Sequence, residues 1–168
     1  MGLAQSTRAG SDNSSVILGG IELVMSSATV LRSLNRLLAL HCQSVPMYLS
    51  YTTPWMTKAD EEVRAVLQHL VNDQKTHSEQ IARLILDLGG SPNRGQGQDL
   101  TPLNDLALGF LLQRIIECQA RDIGTIEECL NDLTEHAEAS ALAQEALGMA
   151  KGHLESLEEV ARATTGAC

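Results

Sequence analysis

The sequence predicts an all-α protein, an antiparallel four-helix bundle with one long crossover between its second and third helices. Three observations lead there. Apolar residues recur at spacings of three and four along four long stretches. The apolar content is mostly Leu, Ala, Ile and Val, with aromatics confined to Tyr48, Tyr51, Trp55 and Phe110, and Leu and Ala are strong helix formers. The connections run short, long, short, which makes two helical hairpins joined by a crossover. The 168 residues fit one domain, and 43% apolar residues suffice for a sizeable core.

Residues 1–26 read as an N-terminal arm: a polar Gly/Ser-rich stretch to residue 15, then the short apolar run VILGGIELVM that could cap the bundle or cover a neighbouring subunit. The bundle itself takes residues 27–165. Helix A is expected from Ser27 to Tyr51, with Leu34, Leu37, Leu38, His41, Val45 and Tyr48 on one stripe. Pro46 should bend it or cost it one internal hydrogen bond. Helix B starts at Thr57, capped with Asp60, and Asp60, Glu61 and Glu62 suit the positive end of its dipole. Its stripe is Val63, Leu67, Leu70, Gln74, His77, Ile81, Leu84 and Leu88, and Gly89-Gly90 with Pro92 end it. The polar crossover SPNRGQGQDL follows. Helix C is expected from Thr101-Pro102 to Leu133, with Leu108, Leu112, Ile115, Ile123, Ile126 and Leu130 on one face. Helix D, from Glu138 to Ala163, carries Ala143, Ala146, Ala150, His153, Leu157 and Val160.

Charge and cysteine usage narrow the function classes. A net charge of −9 argues against a nucleic-acid partner, which needs clustered Lys and Arg. No run of 18 apolar residues suggests a membrane span, and the N-terminus has no secretory pattern. Cys42, Cys118, Cys129 and Cys168 form no CxxC pair and match no zinc ribbon. A cytoplasmic protein with reduced thiols is expected.

The chemistry lies where polar residues interrupt the apolar stripes. His41 on A, Gln74 and His77 on B, and His153 on D each stand near the middle of a helix where leucine would be expected. Glu117 on C joins them if that helix rotates modestly. Burying an imidazole or amide without a partner costs a few kcal/mol, so these groups need one another or a metal. A single such histidine is usually a satisfied core residue. Three of them at matching height on three helices point to a metal centre or a polar network. His69 and His136 read as solvent or helix-end residues, and Cys42 and Cys118 point about 100° away from their neighbours in the centre.

Residues 34–49, LNRLLALHCQSVPMYL, resemble the first helix of bacterioferritins, and residues 73–93, DQKTHSEQIARLILDLGGSPN, resemble their second helix and its LxGxPN ending. The resemblance extends over about residues 30–160 and implies the ferritin-like fold. It also implies a diiron site built from a carboxylate on A, one on C, and a Glu-x-x-His pair on each of B and D. Carried over position by position, the A carboxylate becomes His41 and the bridging glutamate of B becomes Gln74, with His77 kept. The C carboxylate is kept as Glu117, and the bridging glutamate of D becomes Ala150, with His153 kept. Both bridging carboxylates are gone. Four carboxylates would balance two Fe²⁺, whereas one leaves about three uncompensated positive charges at low dielectric.

The resemblance therefore implies a modified centre in which His41, His77, Glu117 and His153 could hold one transition-metal ion, zinc, iron, copper or nickel, with Gln74 a weak ligand or a hydrogen-bonding neighbour, or else an empty centre in which the neutral histidines bond to Glu117, Gln74 and water. No haem is expected, because the axial methionine of bacterioferritins becomes Lys75. The tail ATTGAC is too short for the fifth helix that lines cage channels, which counts against a 24-subunit cage but not against oligomerisation, and a homo-oligomer, dimer or larger, is expected. Two other functions stand beside metal binding: a non-catalytic structural subunit without metal, and an iron-storing ferroxidase, which would make the protein a metal-dependent oxidoreductase. A DNA-protecting mini-ferritin lacks the basic tail that role needs.

Overall fold

The computed structural model describes residues 13–52, 60–97, 99–104 and 106–165, with the backbone alone for 13–26 and 165. Five helices and no strand occur among them: α1 Asn13–Cys42, α2 Val45–Leu49, α3 Glu61–Asp87, α4 Leu108–Asp132 and α5 Ala137–Thr165. The all-α bundle expected from the sequence is the fold observed. No described helix is long and apolar enough to cross a membrane.

The boundaries differ from expectation in instructive places. Helix α1 begins at Asn13, so the backbone of the apolar run in the expected arm continues directly into the first bundle helix. The same helix stops at Cys42. Ser44, in extended conformation, caps a separate short helix α2 by accepting the Met47 amide at 3.1 Å, and Pro46 sits in its first turn, where a missing N–H costs nothing. Glu61 and Glu62 occupy the first turn of α3 as expected, while Thr57 lies outside the described residues. Thr101-Pro102 opens a 3₁₀ turn, Thr101–Leu103, and α4 starts only at Leu108.

Packing is that of two antiparallel hairpins. Helix α1 lies on α3 and α4, and α5 lies on the same two, with α1 and α5 on one diagonal. Across the α1–α4 face, Ser33 donates to Asp132 at 2.8 Å and Arg36 meets Glu128 at 2.7 Å, so rising numbers on one face falling numbers on the other. The crossover after α3 turns at Gly89, whose φ of +74° suits glycine, and Gly90 N–H closes the helix on the Ile85 carbonyl at 2.8 Å. It then descends along α1. Asn93 N–H reaches the Asn35 side chain at 2.6 Å, and the Gln43 amide donates to the Arg94 carbonyl at 2.7 Å.

The buried apolar residues divide into two clusters. One, at the end where α3 finishes, contains Leu34, Leu37, Leu38, Ile81, Ile85, Ile126, Leu133 and the alanines 139, 143, 146 and 150 of α5. The other contains Val45, Val63, Leu67, Leu70, Leu108, Leu111, Ile115, Leu157 and Val160. Helices α3, α4 and α5 run through both, whereas α1 contributes to the first and α2 to the second. Where the clusters meet, buried polar side chains converge: His41 from α1, Ser44 from the cap of α2, Gln74 and His77 from α3, Gln119 from α4 and His153 from α5.

Gly95 pins the crossover to α1. Its φ is +76°, and a Cβ there would collide with the Gln43 side chain that holds Arg94. Gly95→Ala should lower unfolding free energy by about 1–3 kcal/mol in a urea titration, through backbone strain and loss of the Gln43 contact.

Candidate functional site

The stripes of α1 and α3 position the centre. Leu34, Leu37, Leu38 and His41 follow one another at helical spacing and all are buried, so His41 is carried into the interior with the leucines. On α3 the same holds for Leu70, Gln74, His77 and Ile81. The two imidazoles meet: His41 Nε2 lies 3.0 Å from His77 Nδ1, with the rings nearly perpendicular and their centroids 5.1 Å apart. The outer nitrogens, His41 Nδ1 and His77 Nε2, are buried and have no hydrogen-bond partner among the described residues.

Burial governs their protonation. His41 is pushed down to about 3, first by loss of solvation, then by the neighbouring His77 and His153. Burial also lowers His77, opposed in part by the Glu145 charge and the Leu142 backbone. Both rings are therefore neutral at pH 7, and one N–H must lie between them. Glu145 and Leu142 favour a proton on the outer side of His77, although no hydrogen bond of normal geometry reaches its Nε2. With that proton on Nε2, His77 Nδ1 accepts from His41 Nε2–H, and His41 Nδ1 keeps a buried lone pair.

The remaining positions are satisfied. Ser44 Oγ donates to Gln74 Oε1 at 2.6 Å. The Gln119 amide donates to the Ala150 carbonyl at 3.2 Å, so the small side chain at 150 leaves room for an amide from α4. His153, on α5 three residues beyond Ala150, bonds through Nε2 to Asp73 Oδ2 at 2.9 Å. His69 Nε2 approaches the same oxygen at 3.5 Å from the solvent side.

Of the residues singled out from sequence, His41, Gln74, His77 and His153 all lie in this belt, and Glu117 does not. Glu117 is exposed, its carboxylate 3.5 Å from the Gln113 amide on the outer face of α4. Positions two apart lie about 200° apart on a helix, so with Ile115 and Gln119 facing inward Glu117 must face out. Gln119 takes its place, and sequence reasoning missed it. The signal was present: Leu108, Leu112, Ile115, Gln119, Asp122, Ile126, Cys129 and Leu133 alternate spacings of four and three without a break. Asp122, the other polar member, is half-buried, and burial raises its carboxyl to about 6 against the pull of Arg121. It borders a groove of about 350 Å³ between α1 and α4 that also touches Arg36, Gln43, Ser44, Cys118 and Arg121. Asp73 was also missed. It sits beside Gln74 at the edge of the stripe, where an acidic residue looks like ordinary solvated surface.

Among the described residues, no three of His, Cys, Asp and Glu stand in a ready-made metal-binding group. Two bridged irons do not fit this belt, because no carboxylate enters it between His41, Gln74, His77 and Ala150. The family model for the ferritin-like domain matches residues 31–160. Searches among curated proteins and among solved structures each gave no match.

The depressed His41 predicts acid lability of a definite sign. The folded ring ionises near 3 and the unfolded ring near 6.5, so the unfolded chain takes up a proton that the folded chain refuses. That stability is present above about pH 6.5 and is lost as pH falls toward 3. Between pH 6.5 and 5, His41 alone accounts for about 2 kcal/mol. His77 acts in the same direction and Asp122 in the opposite one, so the informative quantity is a difference. His41→Leu should reduce the slope of stability against pH by about one proton, measured by urea unfolding between pH 5 and 7.

Proposed function

The chain belongs to the ferritin-like domain family, and on that premise we propose that its bundle centre binds a single transition-metal ion through imidazoles, in place of two bridged irons. The observation that carries this reading is the His41–His77 contact. Two nitrogens bound to one tetrahedral zinc-like ion at 2.0–2.1 Å are about 3.3 Å apart. The facing nitrogens here are 3.0 Å apart. Sharing an ion would require a small opening of the pair and a shift of the His41 proton from Nε2 to Nδ1. Burial keeps both rings neutral, which is the ligating form. His153 is the third imidazole of the reading, near enough to contribute to the lowering of His41. Gln74, already bonded to Ser44, serves as a neutral hydrogen-bonding neighbour.

Imidazole donors without inner carboxylates suit zinc, copper, nickel or iron, and not magnesium or calcium. A bound ion of this kind supplies a fixed positive charge and Lewis acidity. The chain's own residues exclude water and hold the ligands. Exposed Glu117 is left out of the ligand set. Within the family, residues 34–49 and 73–93 favour kinship with bacterioferritins, modified at the positions that bridge two irons.

A structural subunit without metal is the second reading, favoured by one observation: the belt closes most of its own hydrogen bonds, from Ser44 to Gln74, Gln119 to Ala150, His153 to Asp73 and His41 to His77.

Cobalt(II) titration of the apoprotein, followed by visible absorption and by metal analysis, separates the two. The expected result is one ion per chain, with affinity lowered at least about 10-fold in His77→Ala and His41→Ala. Two irons per chain with rapid Fe²⁺ oxidation would sink the single-ion reading. No uptake of any first-row metal at micromolar concentration would leave the structural subunit.

A further inference from the structure

Helix α1 is longer than the bundle it belongs to. The elements packed on it end at one level. Gly90, just past the end of α3, packs against Leu31. Asp132, the last residue of α4, accepts from Ser33 at 2.8 Å. Ala139, in the first turn of α5, is buried in the cluster that holds Val30. The backbone of α1 nevertheless begins at Asn13, so residues 13–29 carry it about 25 Å past that level at the rise of an α-helix. No other described helix extends there. A continuous helix cannot fold back on the bundle, and the crossover leaves the other way, with Asn93 on Asn35 and Arg94 on Gln43.

The composition of that stretch calls for a partner. Seven of the ten residues 16–25, VILGGIELVM, are large and apolar, and Glu22 is the one charged residue of 13–29. Gly19 and Gly20 weaken a helix, and a helix of this length is marginal by itself in water, so its helical state requires packing. Ile17, Ile21, Val24 and Ala28 follow one another at spacings of four, three and four, the seam of a coiled coil. Leu18 and Met25 adjoin the seam, and Glu22 is turned about 100° or more from each of its positions.

We propose that residues 16–28 of α1 form a self-association seam, on which the same stretch of a second copy of this chain packs. The chain ahead of the helix cannot cover it instead: residues 1–12 are mostly polar or small, with Met1 and Leu3 their only large apolar residues. A second copy can, because the seam is apolar and carries no charge that would repel its own copy. Seven large apolar residues from each of two copies, at on the order of 100 Å² apiece, reach the roughly 1,200 Å² from which specific interfaces are stable. The seam lies beyond the bundle, so the inference is independent of the metal reading.

Sedimentation equilibrium of the full chain is the test. The wild type should be a dimer or a multiple of one, and Ile21→Glu combined with Val24→Glu should halve its mass. Both positions lie past the bundle, so the variant should still unfold cooperatively in urea. Were that transition lost, Ile21→Glu alone is read in the same way. Glu22→Lys, off the seam, should leave the mass as it is. A monomeric wild type, an unchanged mass in a folded seam variant, or an equal loss in Glu22→Lys would each overturn the proposal.

Discussion

The contact between His41 and His77 is the constraint around which the bundle is arranged. It lies where two apolar clusters meet, on the two helices that form the first hairpin, and it brings together two imidazoles deprived of water. Each ring satisfies one nitrogen of the other and leaves one of its own buried without a partner. An unsatisfied buried polar atom costs about 1–3 kcal/mol. A core assembled for stability alone would place leucine at both positions, as the neighbouring turns of α1 and α3 do. The cost is concentrated at one level of the bundle, and the apolar clusters on either side supply the burial that offsets it.

Neutrality follows from that geometry. A carboxylate beside two desolvated histidines would draw protons onto them, and the belt contains none. Gln74 is an amide held by Ser44, Ala150 has no polar side chain, and Gln119 is an amide spent on a backbone carbonyl. Acidic groups stand at the margins: Asp73 at the solvent edge of α3, Asp122 in the groove beside α1, and Glu117 outside altogether. A belt of this composition does not demand divalent cations for charge balance and is self-sufficient as neutral imidazoles and amides. Any ion it takes must be one for which nitrogen donors compensate the missing charge.

The fold was legible because the apolar periodicity of α3 and α5 is nearly unbroken, and the polar exceptions in those stripes are the residues that line the belt. Helix α1 was legible from Leu34 to His41 but not at its ends. Its early start at Asn13 takes in the apolar run 16–25, whose two glycines disguise its helical character, and its stop at Cys42 is set by the Ser44 cap as much as by Pro46. On α4 the phase was misjudged. Ile123 and Leu130 are half-buried and drew the expected face toward Glu117, while the four-three alternation through Gln119 and Asp122 marks the face that is buried. Hydrogen-bond partners such as Asp73 and Ser44 were not legible. Their roles depend on what stands across the helix interface, and one chain's periodicity carries no information about that.

The three histidines are therefore not equivalent, and the difference is one of helix geometry. His41 and His77 face each other across the first hairpin, so each limits the other's freedom, and their protonation is set by shared desolvation. His153 comes from the second hairpin and reaches outward to Asp73, so its ring orientation is set by a carboxylate at the solvent edge. One ring of the centre is thus in contact with a group that solvent can reach, while two are sealed. Desolvation sets the sealed pair's preference for the neutral form, and the carboxylate sets the orientation of the third. A centre built this way separates two requirements of an imidazole site, unprotonated rings and correctly turned ones, and assigns them to different helices.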